Sequence, residues 1–372
     1  MVDGKRRRTD AAARVRALLA VARRIADPGD SLGVCARARL CELSDLSLSG
    51  VELALSRHLE TAASDTELAT FIERAEESAR CAVVLSGNVC TAALRALAFG
   101  LATASSVLVK PSRRDPVLAE LLAAELPTLE VVRSVEEALD RLQAGDELHV
   151  YGSDVTVAAI EPRATARGLT LRSHGSGFGV AAIEADDAIE SAAVALATAL
   201  VPFDGRGCLS PRLAFVAGGR EHGRAFADSL SGALSKLALT VPRGTLSTLE
   251  RGELSRFANA YQLLGEVWQH QDHLVAFDPF PEALSLAPAH RGVCVIAAEA
   301  AVAAHLLTPF SRRVTAIGQV GNRPGPLAHA LAQTSPFARL GRLENMQRPP
   351  FDGPVDLRNI LAQSAGTKTR SR

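Results

Sequence analysis

The chain has 372 residues, 47% of them hydrophobic and 22% charged, with 41 Lys and Arg balanced by 41 Asp and Glu; this suits a folded protein of about two domains and excludes disorder, collagen and coiled coil. Without a basic excess, sequence-independent nucleic-acid binding has little support, because it needs many cations to neutralise phosphates. No apolar run reaches the roughly 18 to 20 residues that cross a bilayer, and the most apolar window, 293–307, carries Glu299 and His305.

Near the start, Val15, Leu18, Leu19, Val21, Ala22 and Ile25 recur at helical spacing and are interrupted by Arg23 and Arg24. That pattern predicts an amphipathic surface helix rather than a signal peptide, and a cytoplasmic protein. After residue 80 a layered α/β rhythm sets in. A strand at 82–85 is followed by a helix at 91–104, a strand at 106–109 ending at Pro111, a helix at 116–126, a strand at 130–133, a helix at 135–143 and a strand at 147–151 closed by Gly152-Ser153. The expectation is a parallel, doubly wound sheet, whose ligands sit in the loops at the carboxyl ends of strands, here 86–90, 110–113 and 152–154.

A second α/β unit is expected from about residue 173, with a strand at 180–184, an Ala-rich helix at 186–200, a Pro/Gly loop, and strands at 212–216, 293–297 and 314–320. The segment 237–289 shows no clear period, and the last dozen residues read as a frayed tail. The expected division is 1–172, 173–335 and a C-terminal segment, 336–372, that returns toward the first domain.

The six cysteines are scattered and form no CxxC, so neither a disulfide framework nor a thiolate metal site is expected. Only one tight histidine pair occurs, His270 and His273, and no metal is predicted. Cys208 stands apart. It lies in Pro202-Phe203-Asp204-Gly205-Arg206-Gly207-Cys208-Leu209-Ser210-Pro211, a turn-forming stretch between a helix and a strand that would present a thiol. Cys81, Cys90 and Cys294 fit the ordinary part of a small buried hydrophobe.

The stretch 81–113, with Gly87-Asn88-Val89 and Lys110-Pro111-Ser112, resembles the aldehyde dehydrogenase superfamily. Tyr151-Gly152-Ser153-Asp154 looks like that superfamily's turn over the cofactor pyrophosphate, and Gly207-Cys208 like its catalytic thiol. Within the superfamily the chain is similar to the acyl-CoA reductase branch that includes the LuxC component of luminous bacteria. The similarity runs from about residue 80 to 355 and includes a closing motif, Met346-Gln347-Arg348-Pro349-Pro350.

The resemblance implies an aldehyde dehydrogenase-like fold of two doubly wound domains and a nicotinamide cofactor near Lys110, Ser112, Arg113, Gly152 and Ser153. It also implies a Cys208 acyl-enzyme whose oxyanion is met by the Asn88 amide and the Cys208 N–H. Many NAD-preferring relatives carry an acid at the position of Arg113; its reversal to a guanidinium, which can grip a 2′-phosphate, predicts NADPH over NADH. Where ordinary aldehyde dehydrogenases have a glutamate base, this chain has His174. Loss of the carboxylate disfavours hydrolysis of an acyl-enzyme and favours exchange with a thiol or reduction by hydride. His174 itself leaves two readings open, an assistant to the thiol or an uncharged packing residue. The expected reaction is NADPH-dependent reduction of an acyl thioester, from CoA or a carrier protein, to an aldehyde. The same site would also serve a CoA-acylating aldehyde dehydrogenase running in reverse, or an acyl-relay subunit docked to an acyl-activating partner protein. The superfamily's habits further imply a homo-oligomer.

Overall fold

The computed structural model describes residues 2–358, so the expected frayed tail lies outside the described residues. The chain divides into two compact units, one made of residues 2–44, 54–176 and 350–358, the other of 45–53 and 177–349.

Four α-helices, α1 (Val2–Ala26), α2 (Ser31–Leu43), α3 (Leu48–Leu53) and α4 (Asp65–Glu73), and a π-helical turn at Ala54–His58 precede the first strand. The apolar stripe of α1 is not peripheral: Val15, Leu18, Ala22 and Ile25 are buried, and Arg14 Nε donates to Leu101 O at 2.9 Å. The helix is a layer of the first unit's core. α4 begins with a capping box, in which the Ser64 hydroxyl accepts from Glu67 N–H and the Glu67 carboxylate accepts from Ser64 N–H.

The first sheet follows the expected alternation. It comprises β1 (Cys81–Val84), α5 (Ala92–Thr103), β2 (Val107–Lys110), α6 (Val117–Glu125), β3 (Leu129–Val131), α7 (Val135–Asp140), β4 (Glu147–Tyr151), α8 (Asp154–Ala166) and β5 (Thr170–His174). The strands are parallel in the order β3-β2-β1-β4-β5. β1 lies at the centre and every one of its residues is buried, which is why it reads as an unbroken apolar run.

The second unit contains β6 (Phe178–Ile183), α9 (Ile189–Leu200), β7 (Pro211–Val216), α10 (Gly219–Ala238), α11 (Thr248–Leu264), β8 (Glu266–Gln269), β9 (Leu274–Asp278), β10 (Gly292–Ala297), α12 (Ala300–Leu307), β11 (Val314–Gln319), α13 (Pro326–Thr334) and β12 (Arg339–Arg342). Its sheet runs β12-β11-β6-β7-β10-β9-β8. All pairs are parallel except β8 with β9, which is antiparallel. The aperiodic stretch 237–289 resolves into α11, which buries Leu254, Phe257, Ala258 and Tyr261 at helical spacing, and the two strands that close this edge.

The division between units falls between Ser176 and Gly177 rather than at 172, because Thr170–His174 pairs with β4 down to Tyr151↔His174. The segment after 335 also splits. β12 pairs with β11, and Met346 occupies the space that a Cβ on Gly179 or Gly318 would need, so the chain remains in the second unit until Pro349. From Pro350 it belongs to the first unit, where buried Arg95 ion-pairs with Glu60, donates to Pro350 O at 2.8 Å and lies 4.9 Å over the Phe351 ring.

Candidate active site

The first unit gathers most of the residues singled out in the sequence at one edge, the carboxyl ends of its strands. The β1 and β2 loops are tied by Leu85 N–H donating to Lys110 O at 2.9 Å. They approach so closely at Gly87 that a Cβ there would crowd the Ser112 side chain, so any larger residue would have to displace it. Ser86 Oγ donates to Asn88 Oδ1 at 2.7 Å, which sets the orientation of the carboxamide. Lys110 is half-buried, and desolvation, reinforced by Arg113, lowers its pKa. Arg113 is exposed.

At the end of β4 the chain enters α8 through Gly152 and Ser153. Ser153 is the N-cap and its hydroxyl accepts from Thr156 N–H at 3.2 Å. The turn therefore offers backbone N–H groups and a hydroxyl at the positive end of a 13-residue helix. Together with the half-buried Lys110 cation and the close Gly87–Ser112 approach, this donor set fits an anionic dinucleotide.

His174 ends β5, at the same edge, but points into the unit. Its ring stacks on Tyr151 at 4.2 Å between centroids with a 5° interplanar angle. Burial lowers its pKa to about 4 against the opposing pull of Asp356, so it is neutral near pH 7. Asp356 Oδ2 is 3.9 Å from Nδ1. Neither ring nitrogen has a hydrogen-bond partner among the described residues. Burial pushes the Asp356 carboxyl up, but the bonds from Arg358 and the charge around it outweigh burial and hold it below the ordinary carboxylate range.

Cys208 is in the second unit, at the amino end of β7, so its loop uses the opposite edge of a sheet from the one used in the first unit. The loop is strained and strongly held. Phe203, Asp204 and Gly205 are successively left-handed, with φ of 54°, 52° and 66°, a conformation that costs the non-glycine residues about 1 kcal/mol or more each. Asp204 is buried and accepts from Arg291 Nε at 2.9 Å and from Gly244 N–H at 3.0 Å. Arg291, also buried, donates further to Val241 O at 2.7 Å. Behind the thiol, the Thr315 hydroxyl donates to Cys208 O, and Gln347 Nε2 donates to Ser210 Oγ at 3.0 Å and Ala199 O at 2.8 Å.

Cys208 itself is half-buried, whereas Cys81, Cys90 and Cys294 are buried. Desolvation raises the pKa of those three, Cys294 to about 12, so they remain thiols. Among the described residues no group of three His, Cys, Asp or Glu side chains is placed to hold a metal ion. His273 accepts or donates a bond with Ser231 Oγ at 3.1 Å, and burial lowers its pKa to about 4.

Sequence reasoning missed the pair that anchors the Cys208 loop. Asp204 was visible inside the turn motif, but its partner Arg291 is 87 residues away and nothing local signals it. It also missed Asp356 and Arg358, which lie beyond the closing motif.

A family model for acyl-CoA reductase (LuxC) matches residues 30–362. The chain belongs to that family. A comparison with curated proteins found no match. Among solved structures, an oxidoreductase from Marinobacter aquaeolei superposes with a TM-score of 0.70 at 12% identity, covering 91% of this chain and 79% of that one. An NAD-dependent benzaldehyde dehydrogenase from Corynebacterium glutamicum gives 0.67 at 14% identity, covering 90% and 81%. PnpE, also known from Pseudomonas sp. WBC-3, in complex with nicotinamide adenine dinucleotide gives 0.64 at 16%, covering 90% and 77%. The fold of this acyl-CoA reductase family member is thus aldehyde dehydrogenase-like. No described helix is long and apolar enough to cross a membrane.

Proposed function

We propose that the protein reduces an acyl thioester, a fatty acyl-CoA by preference, to an aldehyde with NADPH as reductant. The observation that carries this reading is the Cys208 loop: a half-buried thiol on a left-handed turn pinned by the buried Asp204–Arg291 pair, in a chain matching the acyl-CoA reductase family over residues 30–362. Backbone strain held in place by a buried ion pair is characteristic of functional turns.

In this reading the Cys208 thiolate attacks the thioester carbonyl, the Cys208 sulfur–carbon bond forms, and the CoA sulfur leaves with the electron pair of the bond that breaks. The negative charge on the acyl oxygen in passage is met by the Asn88 carboxamide and the Cys208 N–H, the donors that the family resemblance assigns. A dihydronicotinamide dinucleotide held by the first unit would supply hydride to the acyl carbon. The thiohemiacetal anion on Cys208 would then collapse, an oxygen electron pair re-forming the carbonyl as the carbon–sulfur bond breaks, to release aldehyde and the Cys208 thiolate. Gly152, Ser153, Lys110 and Ser112 would hold the dinucleotide, and Arg113 would grip a 2′-phosphate. His174, neutral and stacked on Tyr151, serves as an uncharged packing residue where a hydrolytic base would otherwise stand, which protects the acyl-enzyme from water.

The test measures NADPH consumption with acyl-CoAs of increasing chain length, with the aldehyde trapped by a hydrazine, in the wild type, Cys208→Ala and Arg113→Glu. Turnover is expected in the wild type, none in Cys208→Ala, and a shift from NADPH toward NADH in Arg113→Glu. An acyl adduct on the wild type by intact mass without NADPH oxidation would instead favour an acyl relay that awaits a partner. Equal turnover by Cys208→Ala would refute the proposal.

A further inference from the structure

The segment by which the chain leaves the first unit, His174-Gly175-Ser176, is held from two sides. On one side it is bonded to the turn that opens α8. Gly152 N–H donates to His174 O at 3.2 Å, Ser176 N–H donates to Asp154 Oδ1 at 2.7 Å, and Asp154 N–H donates to Ser176 Oγ at 3.3 Å. On the other side Arg358 donates from Nη1 to Ser176 O and from Nη2 to Gly175 O, each at 3.0 Å. Asp356 orients that guanidinium through contacts of 2.9 and 2.6 Å.

The strand ladder does not need these bonds. The β4–β5 register is already set by five residue pairs ending at Tyr151↔His174, and the Asp154 and Arg358 contacts lie beyond its end. They leave no slack, since a Cβ on Gly175 would lie 2.5 Å from Asp154 Oδ1. Asp154 is exposed, while the Arg358 and Asp356 side chains are only 11% and 5% exposed. A carboxylate at the solvent and a buried guanidinium thus grip one three-residue segment from opposite sides.

We propose that Asp154 and Arg358 are positioning residues for the dinucleotide: by clamping the exit segment they hold the Gly152–Ser153 turn in the geometry that receives a pyrophosphate, without touching the ligand. The inference rests on the reading that this turn takes the cofactor. A site whose donors are fixed in advance binds more tightly, because less freedom is lost on binding. Asp154 acts here as a hydrogen-bond acceptor and not as a charge; its negative charge alone would repel a pyrophosphate.

The experiment uses the full chain and the variants Asp154→Ala, Asp154→Asn, Arg358→Ala and the Asp154→Ala/Arg358→Ala double variant. NADPH affinity is read from the ligand's own fluorescence, alongside melting temperature and the KM and kcat of the reductase. Each alanine variant is expected to bind NADPH about tenfold more weakly, the size of one lost charge-assisted hydrogen bond. The loss should appear in KM for NADPH rather than in kcat. Asp154→Asn, whose carboxamide oxygen still accepts from Ser176 N–H, should stay within about threefold of wild type, because the acceptor and not the charge is what matters. The double variant should lose about tenfold and not a hundredfold, because both residues act through one segment.

Equal losses in Asp154→Asn and Asp154→Ala, an additive double variant, or lower melting temperatures with unchanged NADPH affinity would each overturn the clamp. A wild type that binds neither NADPH nor NADH would overturn the cofactor reading beneath it, and the clamp would fall with that reading. A wild type that binds while every variant binds equally well removes the clamp alone.

Discussion

The two sheets share an architecture but treat its most useful point differently. In the first the strand order reverses between β1 and β4; in the second it reverses between β6 and β11 and again at β10, and such reversals open a crevice at the carboxyl ends of the strands. In the first sheet that crevice is bordered by Asn88 and by the Gly152–Ser153 turn. In the second, the crevice between β6 and β11 is filled by the chain itself. Glu184, at the end of β6, accepts from Leu327 N–H at 3.0 Å and Ala328 N–H at 3.1 Å at the start of α13, and Gly325 lies so close that a Cβ would be 2.4 Å from the Glu184 carboxyl group. A helix N-terminus attracts an anion in both places, but in the second unit the anion is an internal side chain. The candidate nucleophile of the second unit lies at the other edge, before β7. Topology marks where a ligand could sit, and one residue after the strand decides whether it does.

Three outcomes would break or sharpen this contrast. The largest effect is expected from Asn88→Ala at the first sheet's crevice, where removal of the oxyanion donor proposed above should slow turnover by roughly two to three orders of magnitude. A steady-state assay retaining a third or more of wild-type kcat would show that this edge does not handle the acyl group. Smaller is the expected cost of Glu184→Ala, about 1–3 kcal/mol of stability, as two buried N–H donors lose a charged acceptor. Urea denaturation reads the loss, and NADPH affinity should not move; a change in affinity without a change in stability would mean that the second crevice is also a ligand site.

The smallest is a pH dependence. Burial, the largest cause in each case, lowers His174 in the first unit and His273 and His290 in the second to about 4. The unfolded chain then binds protons that the folded chain refuses, so stability should fall as pH drops from about 6.5 toward 4. Asp115, raised by burial to about 6, and Asp187 and Asp278, also raised by burial, pull the opposite way, but the three histidines outweigh them. Urea midpoints at pH 7.5 and 5 should therefore decline on acidification, and His273→Asn should flatten the decline. A midpoint that rises toward pH 5 would contradict the assignment of these histidines as neutral.

Much of this was legible beforehand, for identifiable reasons. β1, α5 and β2 follow from local pattern, because a central parallel strand is buried on both faces and α5, buried throughout 93–103, is a longer apolar run bounded by turn residues. The Cys208 turn was legible because glycines and prolines advertise backbone geometry directly. The segment 237–289 was not, since α11 is followed by an antiparallel edge whose outer strand, β8, is only partly buried and so lacks an apolar run.

The amino-acid sequence by itself determined the α/β alternation, the family motifs and which cysteine stands on a turn, because each is encoded within a few neighbouring residues. Tertiary structure alone decided the rest. It pairs Asp204 with Arg291, brings Arg358 onto the Gly175 and Ser176 carbonyls, buries His174 beside Tyr151 and Asp356, and closes the second crevice with Glu184. A buried polar group must find a partner once water is excluded. Nothing in the local sequence says which distant residue that partner will be.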